Sequence, residues 1–210
     1  MTGLSVALRL LESGVTPVIV SRQFPTPFET IDAVDEINYA SQWAGAHNRF
    51  WAPPTNELEQ RDHDLALKTY RHMEATAKAY PEAGITFMTG LEYLEEGVKG
   101  YEALTLEKAK EMGYEEFRFL AKEELPEGVK MGFEYRTWTL NPMVYCSHLL
   151  RRLHMGGCRF LKRDLRSAEE VFRMRELGDV KTVVNCSGMG FGDPNSFITR
   201  GINIHSPPVV

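Results

Sequence analysis

The sequence predicts an α/β protein, with a parallel sheet flanked by helices and a second, mixed sheet inserted into it. Three observations carry that prediction. The chain opens on Met1-Thr2-Gly3-Leu4-Ser5-Val6-Ala7-Leu8, which reads as the last glycine and the helix of a dinucleotide-binding turn. A short β-branched run, Val18-Ile19-Val20, comes directly after it, as expected of a buried parallel strand. After a long stretch of strand-like alternation, a helix-then-strand order resumes from Asn141 to Gly188.

The elements can be justified in order. Leu4, Ala7, Leu8 and Leu11 recur at i, i+3, i+4 and i+7, so the first helix has one apolar face, and Gly14 can adopt the positive φ that ends it. Pro17 keeps the helix from resuming, and the next strand closes at Ser21-Arg22. In a complete βαβ unit, a first strand and the first two glycines of G-x-G-x-x-G precede such a helix; of these glycines only Gly3, the helix-packing one, is found. A loop with Pro25, Thr26, Pro27 and Thr30 leads to a run of small residues, 38–49, broken by Trp43. Small side chains there let another group approach the backbone. Leu58, Leu65, Thr69, Met73 and Ala77 predict a long amphipathic helix over 57–80, with Arg61, Asp62, His63 and Lys68 mostly on its wet face.

Residues 85–89, 117–120 and 133–139 alternate as strands of a second sheet, with a short helix near 106–112. Asn141-Pro142 begins a further helix through Leu149, Leu150 and Leu153 that ends at Gly156-Gly157 and feeds the strand Arg159-Phe160-Leu161. A short helix over 167–172 precedes a buried strand over 180–185 that ends at Cys186-Ser187-Gly188. The domain organisation implied is one domain from 1–80 and 141–201, part of a second from 81–140, and a divergent tail at 202–210. The strands at 18–20 and 183–185 are expected in one parallel sheet.

Composition narrows the function classes. A chain of 210 residues with 43% hydrophobic and 10% aromatic content suits a globular enzyme. A net charge of -5 argues against a nucleic-acid partner, and no apolar run reaches the ~18 residues that a membrane span needs. Cys146, Cys158 and Cys186 have neither C-x-x-C nor Cys/His ligand spacing, so free thiols are expected and no metal site is.

Five short segments, taken in series, resemble the D-amino-acid oxidase and D-aspartate oxidase family of flavoproteins, and its fungal members most. They are Thr2-Gly3-Leu4-Ser5-Val6-Ala7-Leu8, the strand end Ser21-Arg22, the loop Ser41-Gln42-Trp43-Ala44-Gly45-Ala46, the turn Leu165-Arg166-Ser167-Ala168-Glu169-Glu170-Val171, and the strand end Val184-Asn185-Cys186-Ser187-Gly188. The resemblance implies a Rossmann-like FAD-binding fold with part of a mixed-sheet substrate domain, FAD as cofactor, and oxidative deamination of a small-molecule D-amino acid. It implies cofactor contacts at Gly3, Ser21, Arg22, Ser41, Trp43, Ala44, Gly45, Ala46, Leu165, Ser187 and Gly188. Arg22 would hold phosphate or stack by adenine, Leu165 would present its backbone to adenine, and Ala44-Gly45-Ala46 would lie along the flavin ring. Ser187 and Gly188 would border the ribityl and pyrophosphate. His47 is read as a structural hydrogen-bonder.

The resemblance runs through Phe197-Ile198-Thr199-Arg200-Gly201. The family's substrate-carboxylate arginine and active-site tyrosines are expected downstream of Gly201, so no catalytic residue is assigned here. On that reading the polypeptide is incomplete, and it is expected to bind FAD weakly and to be inactive by itself. Two alternatives stay open: a non-catalytic remnant that binds an adenine nucleotide or a partner chain, and a flavoprotein of the glycine or sarcosine oxidase type. A homodimer and a peroxisomal location are implied by the resemblance, although the sequence carries no C-terminal Ser-Lys-Leu signal and a cytoplasmic location stays open.

Overall fold

The computed structural model describes residues 1–27, 30, 32, 39–49, 52–95, 100–188 and 203–205. Phe197 to Gly201 and most of the tail therefore lie outside the described residues. In chain order the elements are α1 (Thr2–Glu12), β1 (Val18–Ser21), α2 (Ala40–Trp43), β2 (Ala46–His47), α3 (Glu57–Ala79), β3 (Ile85–Leu94), α4 (Leu106–Glu111), β4 (Glu115–Phe119), β5 (Met131–Leu140), α5 (Pro142–Met155), β6 (Arg159–Lys162), α6 (Glu169–Phe172), β7 (Val183–Asn185) and β8 (Asn203–His205). The mixed α/β class holds: among the described residues β1 and β6 form a parallel sheet, β2 to β5 a four-stranded antiparallel one, and β7 and β8 an antiparallel pair. Two compact units divide the chain. The first is Met1–Trp43 with Cys146–Val210, and the second is Ala44–Tyr145.

In the first unit, α1 buries Leu4, Ala7 and Leu8, and Gly14 ends the turn after it at φ +86°. Its stripe supplies one side of a core completed by Cys146, Leu149 and Leu153 of α5, with Cys158, Ala168 and Val171. A side chain at Gly156, just after α5, would meet the Leu11 side chain of α1, so one of the two would have to shift. β1 and β6 pair in parallel, with Val18 opposite Arg159 and Ser21 opposite Lys162.

Two expectations need correction here. β1 is half-buried along its whole length rather than buried, since β6 is its one partner among the described residues. Among the described residues β7 does not share the sheet of β1; it pairs antiparallel with β8. All three residues of β7 are paired with β8, and no described strand bridges it to β1 and β6.

The second unit is built around β5. β3 pairs with β5 along its full ten residues, from Ile85–Leu140 to Leu94–Met131, while β4 and the two-residue β2 take the other edge. One face of this sheet is an aromatic cluster. Phe133, fully buried, meets the rings of Tyr101, Tyr114, Phe117, Phe119 and Tyr135 at centroid distances of 5.4–6.5 Å, and Tyr135, also fully buried, meets Tyr114 at 5.2 Å, within the range of favourable edge-to-face and tilted contacts.

α3 packs on β3 with a face that the apolar spacing does not predict. Leu58 and Leu65 are each 52% exposed, while His63, Tyr70, Met73 and Thr76 are buried. Partners explain the reversal: the His63 Nε2 lies 3.0 Å from the Met112 carbonyl oxygen, and the Tyr70 hydroxyl donates to the Arg136 carbonyl at 3.3 Å. A buried polar group with a partner costs little, so it can replace an apolar one on the packed face. The Arg136 guanidinium sits 4.3 Å from the Phe87 ring centroid and pairs with Glu74 and Glu115. These contacts place α3 in the second unit, Ala44–Tyr145.

Each unit holds a tyrosine whose ionisation is resisted. Burial, the largest cause, pushes Tyr39 of the first unit and Tyr70 of the second up to about 12, and it also raises Tyr114 and Tyr101. The folded chain therefore keeps protons that the unfolded chain releases near pH 10, so this stability is fully present below about pH 10 and is lost between about pH 10 and 12. Urea midpoints are expected to fall steeply across that window, with tyrosinate absorbance appearing late. A midpoint that stays flat to pH 12 contradicts the burial of these rings.

Candidate functional site

The sequence-predicted residues of the first unit gather at two places. The first is the N-terminus of α1. Met1 is its N-cap and no side chain caps the first turn, so the turn's N–H groups keep the donor character of a free helix start. The Met1 ammonium donates to Ser41 Oγ of α2 at 3.1 Å, and Gln42 beside it is buried with its Nε2 donating to the Thr26 carbonyl at 2.7 Å. A side chain on Gly3 would meet Cys186 Cβ at 3.4 Å, so α1 approaches the segment that leaves β7. That segment turns where the Ser187 N–H donates to Asn185 Oδ1 at 3.0 Å, and Gly188 comes next at φ +73°, a left-handed conformation that favours glycine. Ser41 and Cys186, the residue before the Ser187 turn, thus both approach the start of α1.

The second place is the carboxyl end of β1 and β6. Ser21 closes β1 with its Oγ donating to the Gln23 carbonyl at 2.7 Å, Arg22 is exposed beyond it, and the Arg163 N–H donates to the Ser21 carbonyl at 2.9 Å. Leu165 stands at the same end of the pair. It lines an open groove of about 400 Å³ with Arg163, Asp164, Glu170, Arg173 and Met174 among its walls. Ligands of parallel α/β sheets bind off the carboxyl ends of their strands.

The remaining predicted residues lie at and after the end of α2. Trp43 ends that helix half-exposed, and Ala44-Gly45-Ala46 begins the second unit. Ala44 and Gly45 are exposed. The φ of Gly45 lies outside the left-handed region, and no described atom comes within 4 Å of where a side chain would start. Ala46 and His47 are held as β2, opposite Leu140 and Thr139, and Thr139 Oγ1 donates to the Ala46 carbonyl at 3.2 Å. The His47 ring is exposed and makes no side-chain hydrogen bond among the described residues, contrary to its expected structural role; backbone pairing, not the imidazole, holds it.

The three thiols form no bridge. Cys146 and Cys158 are buried and Cys186 is half-buried, all three free. Burial raises each thiol above its ordinary range, so none is an activated nucleophile. Among the described residues no cluster of His, Cys, Asp or Glu could hold a metal ion, and no helix is long and apolar enough to cross a membrane.

The model of a family described as FAD dependent oxidoreductase matches residues 1–209. The chain belongs to that family. Among the members of the FAD dependent oxidoreductase family that it resembles, a D-aspartate oxidase of Talaromyces thermophilus is 42% identical over 165 residues, which are 78% of this chain and 44% of the relative. A D-amino-acid oxidase of Rubrobacter xylanophilus is 30% identical over 205 residues, 96% of this chain and 55% of the relative. The chain thus spans about half the length of the curated relatives it matches. Among solved structures, L-amino acid deaminase from Proteus vulgaris shares the fold with a TM-score of 0.50 at 17% identity, over 76% of this chain and 36% of that one.

Sequence reasoning missed Arg49 and Glu92. Arg49 donates to Glu92 through Nε at 2.8 Å and a terminal nitrogen at 2.6 Å, and Tyr135 donates to the same carboxylate at 3.1 Å. A signal was present in Ile85-Thr86-Phe87-Met88-Thr89-Gly90-Leu91-Glu92-Tyr93-Leu94: one carboxylate in an otherwise uncharged strand needs a partner once buried.

Proposed function

We propose that this chain is the FAD-binding half of an enzyme that oxidatively deaminates D-amino acids. The observation that carries the reading is the 42% identity to a D-aspartate oxidase. The residues present fit the cofactor in kind. Gly3 and the uncapped first turn of α1 would hold the pyrophosphate, with Ser41, Ser187 and Gly188 beside it. Ser21, Arg22 and Leu165 would take the adenosine end, and Trp43, Ala44, Gly45 and Ala46 the flavin ring. FAD, when bound, supplies the acceptor for the electrons that leave with the substrate's α-hydrogen. This chain's residues orient it, and the open backbone at Gly45 lets amides approach it without an intervening side chain. The groups that clamp the substrate carboxylate are expected in the part of the relatives that this chain does not span. On this reading residues 81–140 are part of the substrate domain, and homodimerisation and peroxisomal residence extend it from the family resemblance.

The test is a chimera in which this chain replaces the matching stretch of the Talaromyces relative. It is expected to carry bound flavin and to release peroxide with D-aspartate or D-alanine. A folded chimera without flavin overturns the reading, and one with flavin but no turnover favours a nucleotide-binding role. Gly45→Val in the chimera is expected to leave the melting temperature within about a degree, because the added carbons enter open space, yet to weaken FAD binding at least about tenfold. Equal FAD affinity in G45V and parent would remove Gly45 from the site.

A further inference from the structure

We propose that Arg49 and Glu92 are positioning residues that set the register of the segment carrying Gly45, and so decide which backbone atoms that segment presents to its ligand. The flavin part of this inference rests on the function proposed above, while the register part stands on geometry within the second unit alone.

β2 has only two residues, too few to fix its own register against β5. A slip of one residue would turn every side chain to the opposite face of the sheet. A slip of two would carry Arg49 roughly 7 Å along the strand and out of reach of its partner. Asn48 and Arg49, the two residues after β2, prevent both. The Asn48 N–H donates to the Trp138 carbonyl at 3.0 Å, and Thr137 Oγ1 donates to the Asn48 carbonyl at 2.7 Å. Arg49 then makes its two-pronged contact with Glu92, the one contact in the segment that a shifted neighbour cannot imitate, because a planar fork matches one carboxylate in one orientation.

The placement of Glu92 argues for the same role. Its residue is 7% exposed and its carboxylate also accepts from Tyr135 in the aromatic cluster, while the Arg49 side chain is 60% exposed. An ion pair so placed adds little stability beyond what apolar residues of similar size would give. Specifying one arrangement among several near-equal ones is the best-attested use of such a pair.

The experiment compares the intact chain with the R49M/E92L double variant and with Arg49→Lys. The expected result is that R49M/E92L melts at the same or a higher temperature, while the Asn48 amide exchanges with solvent at least about tenfold faster and the Tyr135 amide in mid-β5 is unchanged. FAD affinity, measured by fluorescence titration, is expected to fall in parallel. Arg49→Lys, which keeps the charge but loses the fork, is expected to recover only part of the Asn48 protection. Unchanged exchange at Asn48 in the double variant overturns the inference. So does faster exchange at Asn48 and Tyr135 alike with a lower melting temperature, the mark of general stabilisation. If the intact chain does not bind FAD but Asn48 responds as expected, the register role stands and the assignment of this segment to flavin fails.

Discussion

Phe133→Ala is expected to destabilise the second unit by about 3–5 kcal/mol, the range for a large aromatic side chain removed from a packed core. Phe133 has no exposed surface and meets five rings, those of Tyr101, Tyr114, Phe117, Phe119 and Tyr135. The site cannot collapse to fill the gap cheaply, because β5 is held by β3 along one edge and by β4 and β2 along the other. Urea unfolding followed by near-ultraviolet circular dichroism measures the loss. A value below about 1.5 kcal/mol would mean that the cluster closes around the missing ring and is not packed as described.

Leu153→Ala is the counterpart in the first unit, with an expected cost of about 2–5 kcal/mol. Leu153 is fully buried on α5, one turn before the point where Gly156 lies against Leu11. Arg152 and Glu12 pair the same two helices at 3.2 Å, and the Leu11 side chain of α1 already lies at Gly156, which limits how far the helices can close over the space. Amide exchange separates this effect from a general one. Protection should fall across β1 and β6 and remain across β3 and β5, whereas an equal fall in both sheets would mean that the two units unfold as one.

Much of the fold was legible because the decisive signals are local. The stripe of Leu4, Ala7 and Leu8, the β-branched 18–20 run and the alternation of 133–139 each announce an element through its own side chains, and the structure places α1, β1 and β5 there. Features that depend on partners distant in sequence stayed hidden. Nothing in Ala46-His47 marks a strand; it becomes one because Thr139 and Leu140 offer their backbone groups. The inward face of α3 could not be read from hydrophobicity, since His63 and Tyr70 are buried by virtue of the Met112 and Arg136 carbonyls. The candidate site divides in the same way. Gly3 could be singled out from its motif and Gly188 only through the family resemblance, whereas the grip of Glu92 on Arg49 exists only once the sheet has formed.

The insertion of one unit within the other also dictates a timetable for biosynthesis. β1 emerges early, yet its partner β6 is translated only after the whole of Ala44–Tyr145. At about 5–20 residues per second, Val18 waits roughly seven to thirty seconds for Arg159. The second unit, continuous in sequence, can close on the ribosome during that interval. The first cannot, and its helix α1 leaves the exit tunnel with Leu4, Ala7 and Leu8 uncovered until α5 arrives. A nascent chain stalled near residue 145 should therefore hold a folded insert beside an N-terminal segment open to chaperones, and slower translation of α5 and β6 should lengthen the exposure of that segment alone.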